Sequence, residues 1–223
     1  MSTKIYVQLL VSKNKLSRQE AKLLKESIQK HARKAGLILS IPLINVTVYS
    51  NPDFATPETG ESGYTPSKDW IHLYIDPKRK KKELNNIINN IIPATVYHEM
   101  SHASRWQYVG YGIRLLDAIV TEGLASVFAE EQWSKFKAPW CNFSKKELKK
   151  LLNIIKKRNR ENDKKYNHSE WFYGTGNIPR WAGYKLGSYI IHSFRKNNKN
   201  IAWKELSMMG TNEIINKSGI DFE

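Results

Sequence analysis

The feature that most constrains the fold is a change of hydrophobic period near residue 82. Before it, "KIYVQLLV" at 4–11, "INVTVYS" at 44–50 and "WIHLYID" at 70–76 alternate apolar with polar residues or are rich in β-branched ones. Such a pattern presents one face of a pleated strand to a core. After it, apolar residues recur at helical spacing in "ELNNIINNIIPATVYHEMSHASRWQ", in 113–133 and in "RWAGYKLGSYIIHSFRK" at 180–196. No further strand is expected there. Strands first and helices afterwards define an α+β chain, with a small N-terminal sheet and a mainly helical C-terminal lobe.

Local signals place the boundaries. Ser17 with Glu20 three residues later forms a capping box that opens a helix after the first strand, and Gly36 is expected to close it. A second box, Ser144 with Glu147, opens a basic amphipathic helix running to about Arg158. Pro93 either kinks its helix or starts a new one. The stretch "NPDFATPETGESGYTPSKD" at 51–69 reads as a long loop, and 159–179 as a polar one. With 223 residues the chain is long enough to bury a sizeable core, and one domain of two lobes is expected: 1–107 with the sheet and 108–223 with the later helices.

Composition excludes several chemistries. Cys141 is the only cysteine, so neither an intrachain disulfide nor a cysteine-based zinc ribbon is available, and a metal must be held by histidine and carboxylate. No apolar run reaches the length of a membrane-spanning helix, and "MSTKIYVQLLVSKNK" lacks the features of a signal peptide, so the expected location is cytoplasmic. The net charge of +15 accompanies runs such as "KKKELNNIINNII", where Lys, Asn and Ile are all abundant. That pattern fits a solvated surface better than a nucleic-acid partner, which remains the less favoured alternative.

Within this frame, "YHEMSHA" at 97–103 carries His98-Glu99-x-x-His102. Residues four apart on a helix share a face, so both imidazoles can reach one ion while Glu99 lies beside it. Zinc in a hydrolase commonly takes three protein donors and keeps one position for water. Glu122, in "TEGLAS" on the next predicted helix, is the expected third donor. Its neighbour Gly123 costs about 1 kcal/mol in a helix interior relative to alanine, which close approach of the motif helix would explain.

His98-Glu99-x-x-His102, then Glu122-Gly123-Leu124-Ala125, then "YGTGNIPRWAGYKLG" at 173–187 resemble the predicted zinc-dependent proteases grouped as domain of unknown function 2268. These in turn resemble the gluzincins, the thermolysin-like metallopeptidases whose third ligand is a glutamate. The resemblance covers about residues 65–195. It implies a zincin-like fold in a single domain, one Zn2+ per chain and a peptide or protein substrate. Zinc would activate a water, with Glu99 as the general base. It also implies an oxyanion donor well after the third ligand, for which His168, Tyr173, Tyr184 and His192 are the candidates. Tyr184, between Gly183 and Gly187, is favoured, and Tyr173 comes second. By the same resemblance a peptide adds as an extra strand to an edge, here assigned to "WIHLYID", whose His72 is a less favoured fourth donor. One departure is Ser126, where many gluzincins carry an aspartate that supports the metal site; Asp117 is the nearest acidic replacement. A zinc hydrolase acting on another bond is the alternative enzyme.

Overall fold

Four strands and nine helices are found among residues 3–11, 16–159 and 166–220, the residues that the computed structural model describes. The strands are β1 (Lys4–Leu10), β2 (Leu43–Ser50), β3 (Glu61–Ser67) and β4 (Trp70–Ile75), in the order β1-β2-β4-β3. β1 and β2 are parallel, as are β2 and β4, whereas β3 runs antiparallel to β4. Helix α1 (Arg18–Leu39) makes the crossover from β1 to β2, as a parallel pair requires. The fold is α+β.

By its internal contacts the chain divides into two compact units. The first comprises residues up to Gln107 together with Phe128–Phe136. It holds the sheet, α1, α2 (Lys81–Asn86) and α3 (Ile92–Trp106). Alternation sends Ile44, Val46 and Val48 of β2 and Ile71, Leu73 and Ile75 of β4 into the core. Leu24, Ile28, Ala32, Ala35 and Leu39 of α1, and Val96, Met100 and Ala103 of α3, are buried too. Each fully buried aliphatic side chain contributes about 1.5–3 kcal/mol. The motif helix is therefore a core element of this unit.

The second unit comprises Tyr108–Val127 and Lys137–Glu223. It holds most of α4 (Leu115–Gln132), then α5 (Lys145–Asn159), α6 (His168–Tyr173), α7 (Ala182–Asn197), α8 (Trp203–Met208) and α9 (Thr211–Ser218). Its buried side chains include Leu151, Ile155, Trp171, Phe172, Leu186, Ile190 and Phe194. Among the described residues no helix is long and apolar enough to cross a membrane.

Both capping boxes form. Glu20 N–H donates to Ser17 Oγ at 3.2 Å and Ser17 N–H to Glu20 Oε2 at 2.8 Å. Glu147 N–H likewise donates to Ser144 Oγ at 3.2 Å and Ser144 N–H to Glu147 Oε2 at 2.8 Å. Gly36 does not close α1, which continues to Leu39 and ends on Ser40 in the left-handed region (φ 57°). Its missing Cβ instead makes room for the Thr3 side chain. Pro93 lies in the first turn of α3, entered through a π-helical turn at Ile87–Ile91 in which Ile92 N–H reaches back to the Ile87 carbonyl. Proline lacks the N–H that an uninterrupted α-helix would use, and the wider turn relieves its clash with the preceding backbone.

Two stretches read as loops contain elements. The polar stretch 159–179 holds α6, and its residues 160–165 lie outside the described residues. The stretch 51–69 contains β3, and this changes the sheet edge: "WIHLYID" is an interior strand between β2 and β3, and β3 is the edge. β3 has poor strand propensity, with Gly63 and Pro66 within it and a register shift between Tyr64 and Ser67. Side-chain hydrogen bonds to α3 hold it. Thr95 Oγ1 donates to Glu61 Oε2 at 2.8 Å, and Trp106 Nε1 to the Thr65 carbonyl at 3.0 Å. Thr65 Oγ1 donates to Glu99 Oε2 at 2.7 Å.

Candidate metal centre

The four-residue spacing on α3 brings His98 Nε2 and His102 Nε2 to 3.1 Å of each other. Two nitrogens bound at 2.0–2.1 Å to a tetrahedral ion would lie about 3.3 Å apart. The pair thus has nearly the separation that a shared zinc requires. His98, Glu99 and His102 form a group whose ligand atoms all lie within 4.8 Å of one another. His102 and Glu99 are buried, and His98 is partly so.

Glu99 is fixed by the edge strand. Besides the Thr65 hydroxyl on its Oε2, it lies so close to Gly63 that a Cβ there would collide with the carboxylate. Glycine at 63 is therefore a close-approach position, with the carboxylate occupying the space of the missing side chain. Glu61, two residues earlier on the same side of β3, was not singled out from the sequence. Burial pushes its carboxyl up to about 7, against the hydrogen bonds of Thr95 and Thr59, with Glu99 adding repulsion and His98 attraction. Behind the motif, Tyr97 Oη is 3.3 Å from Nδ1 of buried His31, whose ring also meets Trp133 edge-on at 4.6 Å.

A family model described as Predicted Zn-dependent protease (DUF2268) matches residues 21–216. The chain belongs to this family. No curated protein and no solved structure matches it. For a predicted Zn-dependent protease, two imidazoles at this separation with a buried glutamate beside them are a donor set that suits zinc.

In the second unit of this family member, Glu122 lies on α4 with 6% of its surface exposed. Its Oε1 accepts a hydrogen bond from Tyr111 Oη at 2.6 Å. Tyr111 comes from "YVGYG" at 108–112, the connection that precedes α4. His168 ring-stacks on Phe172 at 4.3 Å and tilts toward Tyr111 at 6.3 Å. Burial lowers the His168 pKa, and attraction to Glu122 partly opposes this. Tyr184 packs on Phe172 at 5.1 Å and Trp140 at 5.5 Å. His168 and Tyr184 thus share an aromatic cluster with Tyr111. Tyr173 is 53% exposed beside His168, and His192 is exposed farther along α7.

The glycines serve other contacts than those expected. Gly123 meets the backbone of Gly187 on α7, so the close approach explaining this helix-interior glycine is between α4 and α7. Gly183 makes room for the Phe172 ring. Neither Gly183 nor Gly187 opens a cleft for Tyr184; both are packing positions. His72 projects to the opposite side of the sheet from the core residues Ile71 and Leu73, beside Tyr49 at 5.4 Å and Tyr64 at 6.3 Å. The motif helix packs on the core side of β3 and β4, which removes His72 from the donor set.

Proposed function

We propose that this protein is a gluzincin-type metallopeptidase that hydrolyses peptide bonds, with His98, His102 and Glu122 holding one zinc and Glu99 as the general base. The observation that carries the reading is the imidazole pair with its Nε2 atoms 3.1 Å apart beside a buried glutamate. Membership of a family described as predicted Zn-dependent proteases supports it. Bound zinc would polarise the scissile carbonyl and lower the pKa of a water to about 7.

The residues then divide the work. Glu99 takes the proton of the attacking water and passes it to the leaving amine, a role worth about a hundred- to ten-thousand-fold. Thr65 and the open space at Gly63 hold its carboxylate in one place while it does so. Tyr184 is the favoured donor to the tetrahedral oxyanion, with Tyr173 second. An extended peptide can pair with the outer edge of β3, whose other edge is taken by β4. Pairing there would run the substrate along the strand that fixes Glu99.

Glu99→Gln separates binding from chemistry, because the amide matches the carboxylate in shape and cannot accept the proton. With zinc retained, cleavage of an unstructured protein such as casein should fall at least about a hundredfold. Comparable cleavage by this variant with zinc in place would remove Glu99 from the role.

A further inference from the structure

Tyr111 lies between two left-handed glycines, Gly110 (φ 78°) and Gly112 (φ 84°). These let a short connection turn its side chain back onto α4. There the residue is tied at two successive positions. Its carbonyl accepts a long hydrogen bond from Thr121 Oγ1 at 3.4 Å, and its phenol donates to Glu122 Oε1 at 2.6 Å. The short distance is that of an O–H···O⁻ bond to an ionised acceptor.

Ser126 and Asp117, the two positions that the sequence points to for a residue supporting the metal site, are arranged differently. Ser126, four residues on, is buried, and its Oγ makes no hydrogen bond among the described residues. The Asp117 carboxylate accepts from Arg114 at its backbone N–H (3.1 Å), Nε (3.1 Å) and Nη2 (2.8 Å), and also from Thr211. Asp117 therefore ties the start of α4 to Arg114 and the C-terminal segment. The Tyr111 phenol, by contrast, bonds directly to the Glu122 carboxylate.

We propose that Tyr111 is the positioning residue for Glu122, its phenol engaging Oε1 and so orienting the carboxylate as a zinc donor. This rests on Glu122 being a metal donor. Partners of this kind orient a ligand and typically change metal affinity 10- to 100-fold when removed.

The test is zinc affinity, measured by competition with a chromophoric chelator, in wild type, Tyr111→Phe, Glu122→Ala and the double variant. Tyr111→Phe should bind zinc about 10- to 100-fold more weakly while its thermal unfolding stays that of the wild type. In the Glu122→Ala background the same change should have no further effect, since nothing remains to be positioned. The Co2+-substituted visible spectrum of Tyr111→Phe should also shift, reporting an altered carboxylate ligand. Wild-type affinity in Tyr111→Phe alongside weakened Glu122→Ala would overturn the positioning role alone. Equal losses from Tyr111→Phe with and without Glu122 would overturn it too, by marking a structural residue. Wild-type affinity in Glu122→Ala would overturn the ligand assignment and this role with it.

Discussion

The histidine pair and Glu122 are held by opposite means. His98 and His102 sit on one helix, and their separation follows from the helical repeat; Glu99 between them is held from β3 by Thr65 and the close approach of Gly63, with the Glu61 carboxyl near enough to feel both Glu99 and His98. Glu122 is held by Tyr111 in aromatic surroundings that include His168 and Tyr184, on a helix located by glycine-to-glycine contact with α7. A local repeat needs only the residues in between. A carboxylate positioned by packing depends on residues up to 65 positions away, as Gly187 is from Glu122. The first kind of site tolerates change around it, and the second is exposed to it.

The largest expected effect that sharpens this contrast is at Tyr184. If the aromatic cluster takes part in chemistry, Tyr184→Phe should raise the barrier to turnover by about 2–4 kcal/mol, with zinc content and unfolding temperature unchanged. Steady-state kinetics beside metal analysis decides it. Unchanged turnover in that variant, with the loss appearing in Tyr173→Phe, would transfer the role to the exposed neighbour and leave Tyr184 as packing.

A smaller effect belongs to the histidine side. Burial, and then the charges of Lys30, Lys34 and Lys135, hold the His31 pKa down at about 4, below its usual 6.5. The folded protein keeps this imidazole neutral, whereas the unfolded chain protonates below pH 6.5. Its contribution to stability is therefore full above pH 6.5 and is lost as pH falls toward 4, by about 2–3 kcal/mol. His31→Gln retains a polar partner for Tyr97 and cannot titrate. Denaturant unfolding at pH 7 and pH 4.5 should show a smaller acid loss in this variant than in wild type, and an equal loss would place the pH sensitivity elsewhere.

The smallest effect probes the α4–α7 contact. At an ordinary helix position Gly→Ala stabilises by about 1 kcal/mol. At Gly187 the new methyl would strike the Ile119 carbonyl and Gly123, so Gly187→Ala should destabilise by about 1–2 kcal/mol. It should also weaken zinc binding if Glu122 is displaced. A stabilised Gly187→Ala protein would show that the two helices separate at little cost.

These contrasts explain what could be read from the sequence. The α+β order, the three strands with alternating or β-branched patterns, both capping boxes and the His98–His102 pair depend on local periodicity, and all appear in the structure. β3 was hidden because Gly63 and Pro66 break the strand pattern and its support comes from Thr95, Glu99 and Trp106, about 30–40 residues later. The identity of the edge strand was lost with it. Gly123 was legible as a position needing close approach, but its partner, Gly187, lies on a helix that no local signal connects to it. Tyr111 gave no signal at all, because a tyrosine in a glycine-rich connection looks like any other until the loop is folded.

Under the proposal that the imidazole pair and Glu122 share one zinc, metal content depends on both differently held parts. Metal analysis of purified wild type, Glu122→Ala, Glu130→Ala and Glu131→Ala tests it most directly. About one zinc per chain is expected in wild type and in the Glu130 and Glu131 variants, with a sharp loss in Glu122→Ala. Full occupancy in Glu122→Ala, with the loss appearing at Glu130 or Glu131, would contradict it.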